Sequence, residues 1–216
     1  MATLFGRAVV MSVALLKLGG SLLDVPEMPA RLRTVLMKLD GDQPLLICGG
    51  GPTADVVREW DAVHRLGEER SHWLALESIR LNQRLLLDLL PELELVANRS
   101  AAESAWRRDR VPLLDLLSFV SIEESVLSAK EQLPHRWDVT SDSLSAWVAL
   151  RWPASRLVLL KSAELSHEGQ EFVDAHFPTI ARDLPPVCWC NLRRSGEMEF
   201  RPYVAVPNGE RGASAP

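Results

Sequence analysis

Short apolar runs and amphipathic helical patterns alternate along the first third of the chain. Residues 13–18 form an apolar run that ends in a Gly-Gly-Ser turn, and residues 44–48 form a second run that ends in three glycines. Each run is followed by apolar positions spaced three and four apart, at residues 26–39 and 54–65, as in a helix with one buried face. The order of strand, glycine turn and helix therefore occurs twice. It predicts an α/β layer built around a parallel sheet.

The rest of the chain continues this alternation. Residues 68–90 form the longest helical pattern, and its predicted apolar side carries Leu74, Ile79, Leu81, Leu85, Leu86 and Leu89. Further strands are predicted at residues 93–97, 111–114, 156–160 and 187–190 and near 200–206, and further helices at residues 101–108, 122–130 and 140–150 and near Phe172. No repeat or composition break divides the chain. We therefore expect one domain over residues 1–216, with an ordered core at about 13–206 and a disordered tail at 207–216.

Composition and charge narrow the class of protein. The chain is 47% hydrophobic and 25% charged, as in ordinary globular domains. Its formal charge is −5, and its lysines and arginines form no basic stripe along the sequence. Nucleic acid is therefore not an expected partner. No apolar run reaches the about 20 residues that a membrane-spanning helix needs, and the apolar N-terminus lacks a cleavage site for a signal peptide. The expected location is the cytoplasm, with Met1 and Met11 both open as the start.

The three cysteines agree with a reducing compartment. Their odd, sparse count argues against a disulfide framework. Cys188 and Cys190 have the spacing of half a metal site, but no second pair of cysteines or histidines completes it. We interpret them as residues of a buried strand, and no metal site is predicted.

The two glycine turns suggest a place for phosphate. Glycines directly after a buried strand let backbone N–H groups approach an anion, and the N-terminus of a following helix adds a favourable dipole. Lys17 is the only charged residue of its run and sits two positions before Gly19, where it could neutralise a phosphoryl group. Neither turn has the order of a Walker loop or a dinucleotide fingerprint. A structural alternative stays open, in which the glycines only turn the chain and Lys17 extends from the sheet edge to solvent.

Three motifs carry a resemblance to a known family. Lys17-Leu18-Gly19-Gly20-Ser21, Gly49-Gly50-Gly51 and Thr140-Ser141-Asp142 occur in the order found in the amino acid kinase superfamily. This superfamily includes aspartokinases, acetylglutamate kinases, uridylate kinases and isopentenyl phosphate kinases. Residues 71–72, 135–145 and 173–178 also resemble the aminomethylfuran phosphate kinases of methanofuran biosynthesis.

The resemblance implies a fold and a set of roles. The fold would be a three-layer α/β/α sandwich around an open, mainly parallel sheet, with the phosphate acceptor in the N-terminal half and ATP with Mg²⁺ in the C-terminal half. Lys17 would contact the transferred phosphoryl group, and Gly19, Gly20 and Ser21 would contact ATP. The acceptor would lie along Gly49, Gly50 and Gly51 and the Thr140-Ser141-Asp142 motif, with Asp142 orienting catalytic lysines. Members commonly form homo-oligomers, so a homo-oligomer is expected.

One loop departs from the family pattern. Many members have Thr-Asp-Val-Asp-Gly after the late strand, where this chain has Leu-Lys-Ser-Ala-Glu-Leu-Ser at residues 160–166. Both aspartates and the glycine are absent, and the glycine-rich segment with a second catalytic lysine has no counterpart. We hypothesise that Lys161, at the end of an apolar strand, supplies the second positive charge at the catalytic and nucleotide site. The alternative is a solvated lysine at the strand end.

Three function hypotheses follow. The first is an ATP-dependent kinase of a small molecule, with a phosphomonoester acceptor in methanofuran- or pterin-linked one-carbon metabolism. The second is a non-catalytic protein that binds a phosphorylated metabolite or a partner on the same scaffold. The third is a kinase of a non-phosphorylated acid. His72 and His135 could contact an acceptor phosphate and Trp137 could form the wall for an aromatic acceptor. A place on the helix surface or in the packing is the more common role for such histidines, and core packing is the more common role for such a tryptophan.

Overall fold

The structure is a computed structural model that describes residues 12–165, 173–194 and 196–203. Its strands are β1 (Val13–Leu18), β2 (Gln43–Cys48), β3 (Leu93–Val96), β4 (Val111–Leu114), β5 (Arg156–Lys161), β6 (Val187–Asn191) and β7 (Arg201–Pro202). Its helices are α1 (Met28–Met37), α2 (Pro52–His64), α3 (Glu68–Leu89), α4 (Arg99–Trp106), α5 (Leu116–Val126), α6 (Ser141–Arg151) and α7 (Phe177–Ile180). The helix predicted near Phe172, the tail at 207–216 and part of the strand predicted at 200–206 lie outside the described residues.

The strands form one seven-stranded sheet in the order β3-β4-β2-β1-β5-β6-β7. Every pairing is parallel except the last, in which β7 runs antiparallel to β6. Helices cover the sheet in a three-layer arrangement, with α3 packed on β2 and β3 and α6 packed on β1 and β5. The predicted α/β sandwich with a mainly parallel, open sheet is thus confirmed.

Strand β1 lies at the centre of the sheet, and all six of its residues are buried. It pairs with β2 on one side and with β5 on the other, so later parts of the chain add strands on both sides of β1. In an open parallel sheet this arrangement forms a crevice at the carboxyl ends of the strands, where ligands bind. The two glycine turns and Lys161 follow or end these three strands, which brings them to the same edge.

The predicted apolar side of α3 is wrong in part. Ile79 and Leu86 are buried as predicted, but four of the predicted leucines are exposed, namely Leu74, Leu81, Leu85 and Leu89. The buried side instead includes Asn82 and Gln83. Their amide groups donate hydrogen bonds to backbone carbonyls at the ends of β2 and β4, as the burial of those carbonyls requires.

The helix predicted at residues 122–130 begins earlier and ends earlier, as α5. Asp115 caps its N-terminus, where the side chain accepts a hydrogen bond from the backbone N–H of Ser118. The cap directly follows β4 and was overlooked in the sequence. Among the described residues, none of the helices has the length and apolar character needed to cross a membrane.

Candidate active site

A cavity of about 240 Å³ opens at the carboxyl ends of β1, β2 and β5. Ten of the eleven predicted site residues line it, namely Lys17, Gly19, Gly20, Ser21, Gly50, Gly51, Thr140, Ser141, Asp142 and Lys161. The eleventh, Gly49, does not line the cavity. Its N–H donates to the carbonyl of Leu18, and a Cβ at this position would lie 2.8 Å from the hydroxyl of Ser141.

The two glycine turns touch each other through their backbones. A Cβ on Gly20 would lie 2.3 Å from the backbone nitrogen of Gly51, and a Cβ on Gly51 would lie 2.5 Å from the carbonyl carbon of Gly20. Gly51 also has φ +54°, a left-handed conformation that a side chain disfavours. These contacts require glycine at both positions, and they leave the backbone of both turns beside the cavity.

The second turn is held from behind by α3. The side-chain amide of Asn82 lies 2.9 Å from the carbonyl oxygen of Gly49 and 2.7 Å from that of Gly50. It also lies 3.0 Å from the hydroxyl of Thr53, in the first turn of α2. Asn82 is buried, so this polar group joins two helices and the turn at the floor of the site.

A lysine cluster, made of Lys17, Asp142 and Lys161, lies at one end of the cavity. Lys17 Nζ is 2.8 Å from Oδ1 of Asp142, and Lys161 Nζ is 2.6 Å from Oδ2 of the same carboxylate. The Lys161 contact has hydrogen-bond geometry, whereas the Lys17 contact is an ion pair outside that geometry. Side-chain exposure is 5% for Lys17, 7% for Asp142 and 12% for Lys161. Two buried ammonium groups therefore share one carboxylate.

Burial and charge shift the ionisation of this cluster. Burial opposes the charged form of Asp142, but the charges of Lys17 and Lys161 outweigh it and lower the pKa of the carboxyl. Burial, and then the charge of Lys17, lower the pKa of Lys161 to about 8, although Asp142 opposes the shift. At neutral pH the cluster carries one net positive charge, which suits an incoming phosphate.

The N-terminus of α6 positions Asp142. Thr140 caps the helix as predicted, and its hydroxyl accepts a hydrogen bond from the N–H of Asp142. Asp174 in turn holds Thr140, because its Oδ2 accepts hydrogen bonds from the N–H and the hydroxyl of Thr140 at 2.9 and 2.7 Å. Asp174 also accepts from the N–H of Ser143 at 2.9 Å and from the N–H of Phe177 at 2.9 Å. This carboxylate thus joins the loop before α7 to the start of α6.

The other end of the cavity has a different lining. Apolar side chains come from α3 and α6, and Trp137 contributes an aromatic wall. The indole N–H of Trp137 donates to Asp61 at 2.8 Å, which fixes the ring. Arg58 lies over this ring, 5.1 Å from its centroid, and pairs with Asp55. This end could hold the body of a small molecule whose reacting group lies near the lysines.

Sequence reasoning assigned no role to Asp174, Asn82 or Arg58. A usable signal existed for Asn82, since two adjacent amides interrupt an otherwise leucine-rich helix. Asp174 lies in a segment that resembles a known family, but nothing in its local pattern connects it with Thr140. That pairing joins residues 34 positions apart.

Residues 12–164 match the sequence profile of the Amino acid kinase family. This match covers well over half of the chain. The chain belongs to the amino acid kinase family. The matched segment contains both glycine turns and the whole lysine cluster, while Asp174 follows it. No curated protein sequence matches the chain.

Two solved structures are similar to this one. An aspartate kinase from Synechocystis superposes with a TM-score of 0.58 at 12% identity, covering 90% of this chain and 41% of its own. A uridylate kinase from Archaeoglobus fulgidus gives a TM-score of 0.49 at 19% identity, covering 70% of this chain and 64% of its own. At such low identity the aspartate kinase shows a shared fold only. The chain spans less than two thirds of the length of either protein.

Proposed function

We propose that this protein is an ATP-dependent phosphotransferase that acts on a small molecule. The observation that carries the proposal is the lysine cluster, in which one buried carboxylate orients two lysines at the carboxyl ends of β1 and β5. Phosphoryl transfer depends mainly on positioning and on positive charge around the transferring group. A pair of ammonium groups beside the backbone of two glycine turns meets both needs.

The lysines and the aspartate of the cluster would have different roles. Lys17 and Lys161 would contact the transferred phosphoryl group and neutralise the charge that develops on its oxygens. Asp142 would act as a positioning residue, because both of its oxygens are already engaged by the lysines. The acceptor oxygen would form a bond to the γ-phosphorus of ATP while the bond to the β-phosphate oxygen breaks, leaving ADP.

The cavity would hold the phosphate chain of a nucleotide together with Mg²⁺. Gly19, Gly20 and Ser21 would lie along the ATP phosphates. The N–H groups of Gly20 and Ser21 would contact them, because the N–H of Gly19 donates to the carbonyl of Leu160 at 2.9 Å. The hydroxyl of Ser21 lies 2.9 Å from that of Ser162. Mg²⁺ would enter with the triphosphate and bind mostly to phosphate oxygens. The metal would shield charge between the phosphates.

The acceptor would lie along Gly50, Gly51, Thr140 and Ser141, towards the apolar end of the cavity. A phosphomonoester fits the positive charge of the lysine cluster, and Trp137 offers a wall for a ring. The resemblance of residues 135–145 and 173–178 to aminomethylfuran phosphate kinases makes methanofuran- or pterin-linked one-carbon metabolism the first pathway to screen. We further propose that the protein acts in the cytoplasm as a homo-oligomer.

A binding protein without catalysis is the second candidate. It is favoured by residues 160–166, which lack both aspartates and the glycine of the family loop. Lys161 argues for catalysis, because it pairs with the carboxylate that holds Lys17 and so supplies a second charge within the site. In the binding protein this cluster would hold a phosphorylated metabolite and transfer nothing.

Calorimetry with ATP and Mg²⁺ tests the proposal. We expect the wild-type protein to bind MgATP, and Lys17→Met to bind at least about tenfold more weakly because a charge-assisted contact to phosphate is lost. Lys130→Met is the matched control, since Lys130 is exposed and does not line the cavity. Circular dichroism would verify that each variant is folded.

Release of ADP during a screen of phosphorylated metabolites separates the two candidates. A kinase gives ADP in proportion to the phosphorylated acceptor, whereas the binding protein binds metabolites without ADP release. Absence of MgATP binding by the wild-type protein would contradict the kinase proposal.

A further inference from the structure

His72 lines the cavity and has no hydrogen-bond partner for its Nε2 atom. The residue lies near the start of α3 and is 7% exposed. Nε2 is fully buried, and no described residue donates to it or accepts from it. A buried polar atom without a partner costs free energy, so its place on a residue that lines the cavity points to a ligand.

A second histidine supports His72 from behind. The ring of His135 stacks on that of His72, with ring centroids 4.0 Å apart and planes 11° from parallel. Trp73 packs edge-on against both rings. The stack fixes the orientation of the His72 ring, so its free nitrogen is held in place before any ligand arrives.

Both nitrogens of His135 face carboxylates. Nδ1 lies 2.7 Å from Oε2 of Glu69, and Nε2 lies 3.0 Å from Oε2 of Glu124. A neutral imidazole can donate from only one nitrogen, so this arrangement requires the imidazolium. Burial alone would lower the pKa of His135, but the hydrogen bonds to Glu69 and Glu124 outweigh it and raise the pKa. His135 is therefore occupied and cannot bind a ligand.

His72 is in the opposite state. Burial, and then the charge of His135, lower the pKa of His72 to about 4. Its ring is neutral at pH 7 and offers a lone pair as well as an N–H. The group formed by His72, His135, Glu69 and Glu124, here called the histidine cluster, carries one net negative charge. That charge favours a neutral or positive group of a ligand over an anion.

We propose that His72 binds the phosphate acceptor by accepting a hydrogen bond from its hydroxyl or ammonium group. The inference rests on the proposed function for the identity of the ligand as acceptor. The acceptor then has two distinct parts within one cavity. Its reacting anionic end meets the lysine cluster, and a hydrogen-bond donor on its body meets His72. His72 determines specificity, and His135 is a positioning residue that keeps it neutral.

Three matched four-carbon probes test this assignment. We would add 1-butanol, n-butylammonium or butyrate to the wild-type protein in inorganic phosphate buffer at pH 7 and record the ring ¹⁵N shifts of His72. We expect phosphate to occupy the lysine cluster, and butyrate that replaces it there should leave the His72 shifts unchanged. The variants His72→Phe and His72→Gln identify the His72 signals by their loss, and either one suffices. His64→Phe, at the exposed end of α2, is the control.

We expect butanol and butylammonium to shift the His72 nitrogens, with affinities about fivefold higher than that of butyrate. In whichever variant folds, calorimetry should show that this preference is lost, while His64→Phe retains it. Equal or stronger shifts with butyrate overturn the inference. A protonated His72 at pH 7, or ring nitrogens that no probe shifts, also overturn it.

MgATP titrated into the same samples separates this inference from the proposed function. Binding of MgATP without any probe shift at His72 overturns the role of His72 and keeps the kinase. Probe shifts at His72 without MgATP binding overturn the kinase and keep a binding site at His72.

Discussion

The lysine cluster and the histidine cluster are built on the same plan with opposite charge. In the first, one carboxylate lies between two lysines, and in the second, one imidazolium lies between two carboxylates. The first cluster is buried throughout. The second is open on one side, because the side chain of Glu69 is 69% exposed while that of Glu124 is 8% exposed.

The charges of the two clusters therefore act with different strength, because burial reduces screening by water. The buried lysine cluster has one uncompensated positive charge, which an anionic ligand can neutralise. Such a cluster is suited to binding a phosphoryl group tightly. A cluster with one exposed carboxylate is screened by water and holds less energy. We therefore expect changes in the lysine cluster to have the larger effects, and changes in the histidine cluster to act mainly through pH.

The largest effect is expected for Asp142→Asn. The substitution leaves two buried ammonium groups next to each other without a counter-charge, which should cost about 3–5 kcal/mol in the free energy of unfolding. If the protein is a phosphotransferase, turnover should also fall by about 10²–10³. Urea unfolding and single-turnover kinetics measure the two effects.

Asp138→Asn is the control for this substitution, because Asp138 forms an exposed pair with Arg136. Its effect on stability should stay within about 0.5 kcal/mol. Equal stabilities of the two variants would show that the buried carboxylate does not organise the lysines.

An intermediate effect is expected from the titration of Lys161. Its pKa of about 8 means that it is charged at pH 7 and loses its proton as the pH rises through this value. If only the charged form binds, affinity for MgATP should weaken about tenfold between pH 7 and pH 9. Calorimetry between pH 7 and pH 9 measures the change, and this range lies above the titration of the terminal phosphate, whose pKa is about 6.

Lys161→Arg should remove this pH dependence, because a guanidinium keeps its charge throughout the range. Lys130→Arg should retain the wild-type profile. Affinity that is constant from pH 7 to 9 in the wild-type protein would place Lys161 outside the phosphate site.

The smallest effect is expected for His135→Asn. Because the pKa of His135 is raised in the folded state, its contribution to stability is present below the unfolded pKa of about 6.5 and is lost as the pH rises through the folded pKa. The variant should lack this loss, which we expect to be below about 1 kcal/mol. Urea unfolding between pH 5.5 and 8.5 measures it.

The pKa of His72 is shifted in the opposite direction to that of His135, and the same unfolding experiment measures its effect on stability. Its lowered pKa means that stability falls as the pH drops from about 6.5 towards 4. The wild-type protein should therefore lose stability in both directions from about pH 6.5, and His64→Asn should behave like wild type. Parallel profiles of His135→Asn and wild type would contradict the charged state of His135.

Local patterns predicted much of the scaffold. Alternating apolar runs and helical spacing gave the parallel α/β sheet, and Thr140 was recognised as the cap of α6. These features depend on periodicity and capping, which act between near neighbours. The glycine turns were placed at the right strand ends for the same reason, although their mutual contact was not foreseen.

The orientation of α3 was decided by tertiary structure. Hydrophobicity alone turns its leucines inward, whereas the fold turns Asn82 and Gln83 inward to satisfy carbonyls at two strand ends. The need for those donors arises only once β2 and β4 lie under the helix. A count of apolar positions along α3 cannot contain that information.

The positions of the strands, the helices and the glycine turns can be predicted from the sequence, because they depend on short-range periodicity and backbone freedom. Which charged side chains pair with each other depends on how distant elements pack. Lys17 and Asp142 are remote in the chain and pair because β1 and α6 pack together, and His135 reaches Glu69 in the same way. A buried charge is stable only beside its partner, so the packing of distant elements sets both clusters and the chemistry of the cavity.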